Sequence, residues 1–130
     1  MARARVFAVT VPVALYKCGV CLLVGTDEAR LRKAFAEAVD GYLRDGEEAD
    51  AFFDDFLAKR REAGDGCEGL CVSAANGLDF IVWIPRMSVR TLVHEIVHAA
   101  DFILGDRGVV GTEARAYLVE YLYAEMTGRR

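Results

Sequence analysis

The period of the hydrophobic positions changes several times along this chain, and each change marks an element. Residues 6 to 16 alternate loosely between apolar and polar, an extended pattern that Pro12 confines to an edge or a bend. "GVCLLVG", residues 19 to 25, is a β-branched and apolar run closed by a glycine, and it predicts a strand. Thr26, Asp27 and Glu28 make a good helix start. Leu31, Phe35, Ala38, Val39 and Tyr42 then recur at helical spacing, which predicts an amphipathic helix over 27–44. A second helix is predicted over 48–62, with Phe52, Phe53, Phe56 and Leu57 as its apolar stripe.

"AGDGCEG" reads as a loop. "LCVSA" and "LDFIVWIP" follow, separated by "ANG", and Asn-Gly supplies the positive φ angles of a tight hairpin. Pro85 stops the second of these strands. Ser88 caps a helix over 88–104 whose apolar positions include Leu92, Val93, Ile96, Val97 and Ile103. "GDRGVVG" is a loop, and Thr112 caps a last helix from Glu113 to about Met126. The order predicts an α+β fold: a small, mostly antiparallel sheet of about three to four strands packed against helices. At 130 residues this is the size of a single domain, residues 1–130.

Composition narrows the function classes. Hydrophobic residues make up 54%, enough to build a core and too many for a disordered chain. The net charge is −4, and Lys59, Arg60 and Arg61 run straight into Glu62, so no basic face offers itself to nucleic acid. Arg3 and Arg5 precede an apolar run from Val6 to Leu15, which resembles the front of a secretory signal. Thr10 and Pro12 interrupt that run, Lys17 follows it, and no small-x-small cleavage site appears. The expectation is a cytoplasmic protein, without a membrane span. The four cysteines, Cys18, Cys21, Cys67 and Cys71, match a four-thiolate zinc site in number. "CGVCLLVG" is strand-like, however, and would turn Cys18 and Cys21 to opposite faces, so buried or surface thiols are expected.

The chemistry concentrates in "TLVHEIVHAAD", residues 91 to 101. The chain has only two histidines and both are here, four apart, in the pattern His-Glu-x-x-His. On a helix, His94 and His98 stack on one face and both imidazoles reach one zinc ion. Glu95 lies about 100° round the helix, placed to take a proton from a metal-activated water. A catalytic zinc takes three protein ligands, and with no further histidine the third must be a carboxylate or thiolate. Asp101, on the face of both histidines, suits acceptance of a ligand imidazole's free N–H. Glu113 and Glu120 lie on one face of the next helix. A simple antiparallel helix pair would favour Glu120, and crossed helices Glu113. Tyr117, one turn past Glu113, is the first choice for an oxyanion donor, ahead of Tyr121 and Arg115.

"HEIVHAADFIL" followed by "GTEARAYLVEYL" resembles the small gluzincin-type zinc metallopeptidases, and most of all the predicted metallopeptidases of phages and prophages. The resemblance covers about the last 50 residues, together with the strand "FIVWIP". It implies a zincin-like fold, an active-site helix followed by a ligand-bearing helix, and a peptide or protein substrate. It makes His94, His98 and Glu113 the zinc ligands and Glu95 the catalytic residue, with Glu120 as the alternative third ligand. Related folds take an extended peptide on a sheet edge, a place that "DFIVWI" would fill, with Trp83 lining the pocket. The competing expectation is a zinc-stabilised binding or regulatory protein of phage or bacterial origin that has no working cleft.

Overall fold

A computed structural model describes residues 5–41 and 46–128. Among these the chain forms β1 (Phe7–Val13), a 3-10 turn (Ala14–Tyr16), β2 (Cys18–Val24), α1 (Glu28–Ala38), α2 (Gly46–Ala63), β3 (Leu70–Ser73), β4 (Asp79–Ile84), α3 (Val89–Asp106) and α4 (Thr112–Gly128). The expected α+β class holds. The sheet has four strands in the order β1-β2-β4-β3 and is mixed. β1 and β3 pair antiparallel to their neighbours, while β2 and β4 run parallel at the centre.

That parallel pair organises the molecule. Joining two parallel neighbours needs a crossover, here α1, α2 and β3, and the crossover helices cover one face of the sheet. Cys21 and Leu23 of β2 and Ile81 and Trp83 of β4 pack there against Leu31, Phe35, Phe52, Phe53 and Phe56. The alternate residues Val20, Leu22, Val24, Phe80, Val82 and Ile84 turn to the other face, against Leu92, Ile96, Ile103, Leu118 and Leu122 of α3 and α4. Strands buried on both faces lose their polar alternation, which explains the unbroken apolar runs "VCLLV" and "FIVWI". "DFIVWI" is therefore a central strand and not the sheet edge. Trp83 is a core residue, 4% exposed, whose indole N–H donates to Gly25 O at 2.8 Å.

The first helix is shorter than its periodicity predicts. It closes at Val39, whose N–H bonds Phe35 O, and Gly41 follows with φ 88°. Tyr42 and the rest of the predicted 42–44 extension lie outside the described residues. The hairpin forms as expected: Ala74 N–H donates to Asp79 O at 2.8 Å, and Gly77 takes φ 69°. Ser88 caps α3 by accepting from Thr91 N–H, and Arg107 ties its far end to the first turn through Tyr16 O at 2.9 Å. No helix among the described residues is long and apolar enough to cross a membrane.

Candidate metal centre

α3 buries Leu92, Ile96, Ala99, Ala100 and Ile103 against the sheet. That stripe fixes the rotation of the helix and turns His94 and His98 outward, exposed, one turn apart. Their Nε2 atoms approach to 3.2 Å, with the rings nearly perpendicular at 77°. Two nitrogens bound to one tetrahedral zinc at about 2.0–2.1 Å each would lie about 3.3 Å apart. The imidazoles thus hold the separation of a ligand pair, and in the metal-free chain one ring donates to the other.

Glu95 has the opposite environment. It is 6% exposed, the only charged residue that is buried among the described residues, and it points toward β3. A Cβ on Gly69, at the entry to β3, would lie 2.8 Å from Glu95 Oε2. The carboxylate accepts no hydrogen bond among the described residues, and its Oε2 lies 4.0 Å from His94 Nε2. Burial raises its pKa, and the positive charge of His94 and His98 works against that rise. Cys71, on the same face of the sheet, has its thiol pushed up to about 12, first by burial and then by the Glu95 charge.

The other expected site residues are distributed differently. Asp101 does not meet an imidazole. It is held by Arg115, with Nε on Oδ1 at 2.7 Å and the second guanidinium nitrogen on Oδ2 at 3.1 Å. A planar guanidinium matches both carboxylate oxygens, so it outcompetes a single ring N–H. The same pairing engages Arg115, the weaker oxyanion option. Tyr117 is 67% exposed and lines a cavity with Val13, Ala14, Leu15 and Tyr16, on the side of α4 turned away from α3. Tyr121 borders that cavity too and donates to Pro12 O at 2.6 Å. The tyrosine on the α3 side is Tyr123. It lines a groove of about 440 Å³ with Val93, Val97, Val119 and Glu120, so α3 and α4 pair antiparallel with Glu120 at the level of the histidines. Glu113 is exposed in the first turn of α4. Among the described residues, no three His, Cys, Asp or Glu side chains gather as a metal-holding group. His94 and His98 therefore offer two donors to a metal, and no third side chain joins them as a metal-holding group among the described residues.

The cysteines are free thiols. Cys18 and Cys71 pack on the α3–α4 face of the sheet and Cys21 and Cys67 on the α1–α2 face, so four thiolates do not converge. A cavity of about 620 Å³ lies under Lys17, Cys18 and the 74–79 turn, at the opposite end of the sheet from Glu95, and touches neither histidine. Sequence reasoning missed Gly69, which reads as an ordinary loop glycine, because nothing local connects it to a residue on α3. Comparison with protein-family models, curated proteins and solved structures returned no match.

Proposed function

We propose that this protein is a zinc-dependent peptidase, built on a zincin-like pairing of an active-site helix, α3, with a ligand-bearing helix, α4. The observation that supports it best is the 3.2 Å separation of the two Nε2 atoms beside a buried glutamate. His94 and His98 hold the zinc. The third donor is an α4 carboxylate, Glu113 by the family resemblance, with Glu120 as the alternative on the strength of its place in the groove. When bound, zinc supplies a Lewis acid that polarises the scissile carbonyl and brings the pKa of water to about 7. Glu95 takes the proton of the attacking water and passes it to the leaving amine. Its raised pKa suits that exchange, since a base works best with a pKa near the working pH.

The substrate is a peptide or protein, taken as an extended strand on the free edge of β3. Ala74 donates to Asp79, so the ladder alternation turns the N–H and C=O of Cys71 and Ser73 outward along that edge. The competing function, a zinc-stabilised binding protein, would use a fourth protein ligand such as Asp101, and the Arg115 pairing withholds that side chain.

The test measures zinc content and cleavage of a randomised peptide mixture by mass spectrometry. One zinc per chain is expected, lost in the His94→Ala, His98→Ala double variant. Glu95→Gln is expected to keep zinc and lose cleavage. Cleavage by Glu95→Gln at the wild-type rate would sink the mechanism, and bound zinc without cleavage by the wild type would favour the binding protein.

A further inference from the structure

We infer that Gly69 is a positioning residue: the missing side chain at this position makes the seat that holds the Glu95 carboxylate beside the histidines. The inference rests on the proposed peptidase reading for its catalytic consequence, and on geometry alone for the contact. A Cβ at position 69 would stand 2.8 Å from Glu95 Oε2, 2.9 Å from Cγ and 3.1 Å from Cδ. Real Cβ contacts are not that short, so any other residue displaces the glutamate head. The backbone does not require the glycine, because Gly69 is not among the positive-φ residues. What requires it is space for one side chain.

The neighbouring residues make the seat definite. Cys67 Sγ donates to Gly69 O at 3.0 Å, which pins the peptide that faces α3. Leu70 begins β3 and pairs with Trp83 of the central strand, so the sheet fixes the other side of the glycine. Glu95 is 6% exposed and accepts no hydrogen bond among the described residues, so the shape of the seat and the imidazole 4.0 Å away hold it in place. The stretch "CEGLC" has the spacing of a metal knuckle, yet its work here is mechanical.

The clashing atoms belong to the far end of a flexible side chain, so Gly69→Ala is expected to swing Glu95 out while the fold survives. Two measurements test this. In the zinc-loaded protein, Gly69→Ala should lower kcat on the order of 100-fold, the loss of a positioned base, with KM and zinc content unchanged. Adding Glu95→Gln to that variant should then cost far less than it does in wild type. In the metal-free protein, Gly69→Ala should change Tm when Glu95 is present and leave it unchanged in a Glu95→Ala background. If Gly69→Ala does not fold, Glu95→Ala should restore folding. Wild-type kcat in Gly69→Ala, or an equal Tm change in both backgrounds, would overturn the inference. A wild-type chain that binds no zinc and cuts nothing would end the peptidase reading instead, and the Tm comparison would still decide whether Gly69 seats Glu95.

Discussion

Replacing Glu95 by glutamine should stabilise the metal-free fold while it abolishes hydrolysis. The carboxylate is 6% exposed, accepts no hydrogen bond among the described residues, and has its pKa raised by burial. Well below its ordinary value of 4.5 the carboxyl is protonated in both the folded and the unfolded chain, and it contributes no pH dependence. As the pH rises, the unfolded chain ionises first and at no cost. The folded chain binds the extra proton until its higher pKa is passed, so wild type loses stability across that window and reaches a lower plateau above it. Glutamine does not titrate. Its own desolvation is the same at every pH and cancels when the Glu95→Gln difference at pH 8 is compared with that at pH 3.5. A buried polar group without a partner costs about 1–3 kcal/mol, and the attraction of the imidazoles offsets part of that for the charged form. The expected gain of Glu95→Gln at pH 8 over pH 3.5 is about 1 kcal/mol, or about 3–5 °C in Tm for a chain of this size. Urea unfolding in the presence of a chelator, followed by circular dichroism at both pH values, measures it. A difference of zero, or a wild type that gains on the variant as pH rises, would mean that the carboxylate is solvated or paired, and the seat against Gly69 would be wrongly described.

Two further outcomes bear on the site and on its support. Zinc titration should show Glu113→Ala weakening binding by more than about 10-fold, beyond the lower end of losses seen for residues that only orient a ligand. Glu120→Ala should stay within a few-fold of wild type, and the reverse order would move the third ligand to Glu120. Phe53→Ala should destabilise the fold by about 3–5 kcal/mol. Phe53 is fully buried and packs on Phe35 and Phe56 at 5.6 and 5.4 Å between ring centroids. A loss under about 1 kcal/mol in urea unfolding would show that this cluster collapses around the gap.

The elements were legible where local chemistry decides them. Ser88 caps α3, Asn76-Gly77 turns the hairpin, and the stripe of Leu92, Ile96 and Ile103 sets the face of α3 that carries the histidines. The sheet order was not legible. "VCLLV" and "FIVWI" are apolar throughout because both are central, and a run without alternation does not say which strand is its neighbour or in which direction. The reading of "DFIVWI" as an edge came from the family resemblance, whereas β3 takes the edge. The outward pair His94 and His98 was readable because one helical turn separates them. The pairing of Asp101 with Arg115 was not legible, because the two are neighbours only after α4 folds back. Tyr117 shares a helical face with Glu113, but which face of α4 meets α3 follows from the packing of Leu118 and Leu122, a long-range choice.

The residues that break local rules collect in one place. An ordinary core excludes a carboxylate, yet Glu95 is buried and accepts no hydrogen bond among the described residues. An ordinary helix surface does not point two imidazole nitrogens at each other 3.2 Å apart. An ordinary strand entry does not need glycine at a non-positive φ, yet Gly69 tolerates no Cβ. A buried carboxylate and a glycine at a strand entry each cost folding stability. All three adjoin the first half of α3, beside the free edge of β3, whereas the residues elsewhere on α3 and α4 follow ordinary packing. Such costs persist where function requires them. If they were accidents of packing, their substitutions would act independently of one another. If they form one device, Gly69→Ala and the Glu95 variants must couple, and the metal must reverse the sign of the Glu95→Gln effect by giving the buried charge a cation to face.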